Sequence, residues 1–233
     1  MMPYRIKRLK RLLSSLPKTI YFNFHYLPLR QALKLPIWLR KAELKKMKGK
    51  VIIDSKIIRP GMITLGFREA SVFPNTGVMW ENKGGTIIFH GKCRIGNASY
   101  LSFGKRTTVE FGDDFRNTAS FKLISYHGVK FGIKTSVGWD CIIMDTNFHC
   151  LYDMEHNIYK KAGGPIIIGD YNWFGTGCKV MHSVHTPERC IFGMGTIVTR
   201  NSLMKSYSVM GGFPVRILSE KVMRDYDGDT EDV

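Results

Sequence analysis

The side chains best suited to chemistry in this 233-residue chain gather around His149. It follows Asp145 and Asn147 and opens a polar stretch, HCLYDMEHNIYKKAGG, over 149–164. An unperturbed imidazole titrates at about 6.5, so it can accept a proton near neutral pH. Asp145 and Asp153 are the carboxylates that would orient the ring, unless each is simply a solvated turn residue. His182 and His185 raise a second idea, metal binding. Cys93, Cys141, Cys150, Cys178 and Cys190 form an odd set without C-x-x-C, which suggests neither a disulfide framework nor a zinc knuckle.

The elements that position these residues follow an unusual repeat. Residues 166–198 read IIIGDYNWFGTGCKVMHSVHTPERCIFGMGTIV. Lead positions six apart are Ile168, Phe174, Val180, Thr186, Phe192 and Val198, with Gly169, Gly175 and Gly193 following three of them. Four positions after successive leads stand Asn172, Cys178, Val184, Cys190 and Thr196, all small or medium. A helix needs a period near 3.6 and an ordinary strand a period of 2. A period of six fits a β-helix, each hexad forming one short side of a coil with its lead residue in a stacked core. Cys93, Cys141, Cys178 and Cys190 then take small inward positions as core filler.

The same frame shows at Phe89, Ile95 and Leu101, shifts by two to Phe103 and Val109, and returns at Phe131, Val137 and Ile143. His149 stands where the next lead belongs, and a polar side chain cannot fill that slot unpaired. The chain is therefore expected to leave the coil over 149–164 and re-enter at Pro165. A long loop that breaks a regular repeat is functional or disordered. Residues 51–218 are read as the β-helix domain, about eight coils less loops. Residues 219–233 are read as an acidic tail with a short helix.

Charge is concentrated at one end. Residues 1–50 hold 14 Lys and Arg against Glu43 alone, so +13 of the formal +16 lies there. Leu9, Leu12, Leu13 and Leu16 recur at helical spacing among the cations, and Leu35, Ile37, Trp38, Leu39 and Leu44 repeat the mixture. Such basic amphipathic helices suit an anionic membrane surface, or a helical cap whose apolar face packs on the β-helix. Nucleic acid is not expected as a partner, because no binding motif accompanies the charge. With neither a spanning run nor a secretory signal, the chain is expected in the cytoplasm, peripheral to the inner face of the membrane.

Three segments carry a family resemblance. They are Asp145-Thr146-Asn147-Phe148-His149, then 165–175 (PIIIGDYNWFG), then 209–216 (VMGGFPVR). Together they resemble the hexapeptide-repeat acyltransferases, most of all the O-acetyltransferases that modify sugars and polysaccharides. Cys150 and Phe213 depart from the family's usual proline and asparagine. The resemblance covers 129–218 most clearly and is absent over 1–50; it implies an all-β, left-handed parallel β-helix, to which the residues themselves add a basic helical front end and a short C-terminal helix. It also implies an acetyl-CoA-dependent O-acetyltransferase, a carbohydrate acceptor and a homotrimer with sites between neighbouring chains.

Within that resemblance, His149 is the general base with Asp145 beside it. Trp173 lies near the acceptor or the pantetheine arm, and Gly193 and Gly195 line the corners along which that arm runs. Gly175 is a candidate backbone donor to the oxyanion. Thr199, Arg200 and Arg216 are candidates for the phosphates of coenzyme A. N-acetylation of an amino sugar and O-acetylation of serine are alternatives. His182 also invites comparison with γ-class carbonic anhydrases, which bind zinc through three histidines. The second histidine required five residues earlier is Gly177 here, so no metal is expected. A non-catalytic β-helix scaffold is the remaining alternative.

Overall fold

The computed structural model describes residues 15–226. Short parallel strands wind into a three-sided prism. The first face stacks Ile37–Leu39, Ile63–Phe67, Cys93–Asn97, Phe115–Ala119, Ser136–Val137, Trp173–Phe174, Cys190–Phe192 and Ser208–Gly211. The second begins with the leading halves of Glu43–Ile53 and Val78–Phe89. It continues through Ser99–Phe103, Lys122–Ser125, Ile142–Met144, Lys179–Val180 and Ile197–Val198. The third takes the trailing halves of those two long strands, then Thr108–Phe111, Val129–Phe131, Ile166–Ile168 and His185–Thr186.

The hexad rule holds in full only at the C-terminal end. There the register advances 18 residues per coil, from Trp173 to Ile191 to Val209. Earlier coils need 20 residues (Arg116 to Ser136) or 22 (Cys93 to Phe115), because their strands and corners are longer. The step from Ser136 to Trp173 is 37 residues and contains the expected extrusion.

In-register parallel pairing places like positions about 4.8 Å apart, so aromatic leads become ring stacks. Phe111 lies between Phe89 and Phe131 at centroid distances of 5.1 and 5.3 Å, and Phe174 stacks on Phe192 at 4.7 Å. Inward polar positions pair with one another. Asn172 Nδ2 donates to Thr186 Oγ1 at 2.8 Å and its Oδ1 accepts from the Cys190 N–H at 2.6 Å. Cys93, Cys141, Cys178 and Cys190 are buried in the prism, and Cys150 is exposed on the extrusion.

The basic front end is only partly helical. α1 (Leu16–Tyr26) and α2 (Leu29–Ala32) are followed by strands at Ile37–Leu39 and Glu43–Ile53. A boundary at 50 therefore falls inside a strand, and the expected helix around Trp38 and Leu44 is sheet. Parallel pairing with the coil above supplies hydrogen bonds that a short Pro-flanked helix lacks. Leu9, Leu12 and Leu13 lie outside the described residues.

α1 closes the open end of the prism. Asn23 Nδ2 donates to the Ile37 carbonyl and its Oδ1 accepts from the Ile37 N–H, while Thr19 Oγ1 accepts from the Leu39 N–H. These side chains satisfy an edge strand that would otherwise be open to pairing. Phe22 is fully buried and meets Trp80 edge-on at 5.0 Å.

At the other end a strand precedes the tail expected to be helical, and 227–233 of that tail lie outside the described residues. Arg216–Glu220 pairs antiparallel with Ser208–Gly211, and no helix follows among the described residues. Pairing satisfies the last edge of the first face.

Candidate active site

Each coil turns three corners, and the corner between the second and third faces carries the chemistry-bearing residues. In consecutive coils it comprises Tyr126 and His127, then the extrusion, then His182 and Ser183, then Thr199 and Arg200. The extrusion stands on a neck. Thr146 bridges Gly163 antiparallel, and the Asn147 N–H donates to the Ala162 carbonyl at 2.6 Å. Beyond the neck, Leu151–Asp153 and Ile158–Lys160 form an exposed hairpin.

His149 sits on the neck, exposed, without a hydrogen bond or ion pair among the described residues. The preceding Phe148 adopts φ +61, its N–H donates to Thr146 Oγ1 at 2.9 Å, and its ring meets Tyr126 edge-on at 5.1 Å. A short side-chain turn and an aromatic contact thus set where His149 emerges.

Neither expected carboxylate orients it. Asp145 is fully buried. Its Oδ1 accepts from the Tyr126 N–H at 2.7 Å. Its Oδ2 accepts from the His127 and Gly128 N–H groups at 2.9 and 2.7 Å and from Ser125 Oγ at 2.8 Å. This carboxylate clamps the corner of the preceding coil, which corrects its reading as the partner of His149. Asp153 turns into the hairpin, pairing with Lys160 Nζ at 2.9 Å and His156 Nδ1 at 3.2 Å. The Lys160 ammonium, then the His156 backbone N–H, lower its pKa to about 2.

His182 is occupied on both ring nitrogens. Asn147 Nδ2 donates to its Nε2 at 3.1 Å, so its Nδ1–H donates to Ser183 Oγ at 3.2 Å. Among the described residues no group of three or more His, Cys, Asp or Glu is placed to hold a metal. Asn147 was noted in the sequence only as a neighbour of His149, and Tyr126 and His127 were not singled out. The available signal was weak: Tyr126 and His127 lie five and four residues before the lead Phe131, and Asn147 lies four after Ile143.

The remaining expected residues lie elsewhere. Gly175, Gly193 and Gly195 occupy the corner between the first and second faces, away from His149. The Gly175 N–H donates to the Phe192 carbonyl at 2.7 Å, so it serves the coil ladder and is not an oxyanion donor. Gly195 needs its missing side chain for φ +74. Gly193 has no such need, and a Cβ there would meet only the Met210 carbonyl at 3.5 Å.

Beside these glycines Met194, Phe213, Pro214, Arg216 and Leu218 shape a groove of about 500 Å³. The bare glycine edge and the exposed Arg216 fit a thin, phosphate-bearing chain. Trp173 is on the first face, and the Arg224 guanidinium stacks over its ring at 4.8 Å. The C-terminal segment therefore lies against the side chain expected to meet the acceptor, which stays exposed. Thr199 holds a local turn with Ser202, and Arg200 is exposed on the corner of His149.

The fold is the left-handed parallel β-helix, whose hand runs against the usual crossover preference. Among solved structures the chain resembles the polySia specific acetyltransferase NeuO, with 20% identity over 82% of this chain and 74% of that one, at a TM-score of 0.61. The polysialic acid O-acetyltransferase OatWY (16% identity, 82% and 92% covered, TM-score 0.34) also aligns. So does a maltose O-acetyltransferase from Clostridium difficile 630 (15%, 93% and 88%, TM-score 0.34). At these identities the first likeness shows the fold alone, and the other two add nothing to it. No protein-family model and no curated protein matches the chain.

Proposed function

We propose that the chain transfers an acetyl group from acetyl-CoA to a sugar hydroxyl, with His149 as general base. The observation that carries this reading is the free imidazole on the neck. Asp145, Asp153 and His182 are all committed to structure, and His149 alone of this group is unengaged. The fold shared with an acetyltransferase supports it.

In the reaction His149 takes the hydroxyl proton as the oxygen attacks the thioester carbonyl. The new C–O bond forms, the C–S bond breaks, and the imidazolium returns its proton to the departing thiolate. The glycine edge at Gly193 and Gly195 would let the pantetheine arm lie close to the coil, with Arg216 toward its phosphates.

His149 and that groove are on different corners of one prism. We therefore take the working unit to be a homotrimer in which His149, Thr199 and Arg200 of one chain face the groove of the next. The outer face of the front end exposes Leu16, Ile20, Phe24, Leu29 and Leu33 beside Lys18, Arg30 and Lys34, which suits peripheral contact with an anionic membrane. Ile20→Ser with Phe24→Ser is expected to abolish sedimentation with anionic vesicles. Removing 1–50 is no substitute, since it would delete the strand Ile37–Leu39 and cut through Glu43–Ile53.

The test of the reaction is thiol release from acetyl-CoA across sugar, amino-sugar and amino-acid acceptors, with His149→Ala as control. Turnover on sugars that drops about 10²–10⁴-fold in His149→Ala, with acetyl-CoA binding retained, supports the proposal. Unchanged turnover removes His149 from it.

A further inference from the structure

The corner that ends at His149 begins as a row of cations. Lys48 and Lys50 flank Gly49 in one coil, Lys83 follows in the next, then Lys105 and Arg106, then Tyr126 and His127, then the neck. The alignment is fixed by the ladder. Lys48 pairs with Lys83, a Cβ on Gly84 would lie 3.3 Å from the Lys105 carbonyl, and one on Gly104 would press on the Tyr126 ring at 2.7 Å.

Successive coils are about 4.8 Å apart, so the track covers about 19 Å over four steps. Like charges at that spacing repel by about 1 kcal/mol per pair even in water. Lys83 is relieved by Glu81 at 3.3 Å and Tyr126 at 2.7 Å. Lys48, Lys50, Lys105 and Arg106 are exposed and have no ion pair among the described residues.

The corner between the third and first faces differs. There Asp113, Asp114, Asp170 and Glu188 stand among Lys92, Lys134 and Arg189. The corner segments at 49, 83–85, 104–107 and 126–128 contain no acid at all. Where the track reaches the neck, Tyr126 and Phe148, the latter 54% exposed, offer aromatic surface beside His149.

We infer that this corner binds an acidic glycan, an extended sugar polymer with an anionic group on its repeating unit, and leads it to His149. The cations meet its charges at the repeat of the coils, and the aromatic rings meet the apolar faces of its sugars. The inference deepens the proposed function and rests on it for the chemistry at the end of the track. The binding step stands by itself.

Binding of oligogalacturonate to the full chain, without acetyl-CoA, tests it against the same oligomer fully methyl-esterified. The charged oligomer is expected to bind at least about tenfold tighter, and added salt is expected to weaken it. Lys105→Ala with Arg106→Ala is expected to cost about tenfold, as is Lys48→Ala with Lys50→Ala, at unchanged melting temperature. His149→Ala should bind like the parent, which separates failure of the track from failure of the base. Equal affinity for oligomer and ester, or indifference to both double substitutions, overturns the inference. Phosphatidylserine vesicles whose binding is lost in the same variants, with no charge-dependent oligomer binding, would assign the corner to a membrane and overturn it too.

Discussion

A buried aspartate four residues before a candidate base invites a catalytic reading, yet Asp145 turns its carboxylate the other way. It accepts three backbone N–H groups of the neighbouring coil. In Asp145→Asn the amide must face at least one of those donors whichever way it is turned. The expected loss is about 3 kcal/mol in chemical denaturation, with any fall in activity following the loss of fold. Asp145→Asn at parental stability but without turnover would restore its catalytic role. Phe111 offers a control of pure packing. It is stacked between Phe89 and Phe131, and Phe111→Ala is expected to cost about 3–5 kcal/mol by the same measurement.

At the scale of elements, the extruded hairpin has its own acid sensitivity. Asp153 is held at about 2 by Lys160 and the His156 N–H, below an ordinary carboxylate at about 3.9. A depressed pKa contributes order that is present above the unfolded value and lost as pH falls toward the folded one. Protection of the 151–160 amides relative to their intrinsic exchange rates is therefore expected to fall between about pH 4 and pH 2, ahead of the β-helix, and to be reduced already at pH 7 in Asp153→Asn. Uniform exchange in hairpin and coils across that window would contradict this. α1 shows the same logic in a neutral form. Thr19 and Asn23 were unremarkable in a cationic, leucine-rich sequence, and only the edge strand at Ile37–Leu39 gives their side chains a task.

For the whole molecule, the separation of His149 from the Gly193 groove makes a complementation test decisive. Gly193→Trp is expected to fold, because φ there is not positive and no atom lies closer than 3.5 Å to a new Cβ, and to fill the groove. Copies of Gly193→Trp and His149→Ala, each inactive alone, are expected to regain a substantial fraction of activity when coassembled. In such mixtures some sites combine an intact histidine with an intact groove. If mixtures stay as inactive as their parts, one chain must hold the whole site.

The period of six, the aromatic leads, the inward cysteines and the break at His149 were all legible in the chain. Each is a local consequence of how residues repeat along a coil. The 20- and 22-residue coils blurred the frame before Phe131, and the front end misled because basic, leucine-rich pieces are compatible with helix until a neighbouring strand offers pairing. What the carboxylates do could not be read in one dimension. Asp145 and His149 are four residues apart in sequence, but winding places Asp145 against 125–128 in the coil before. It likewise puts Asn147 on His182 and turns Lys48, Lys83 and Lys105 into one edge. Sequence alone determined the repeat and where it fails. Tertiary structure decided which polar groups are spent and which are free, because stacking successive coils makes neighbours of residues about twenty positions apart.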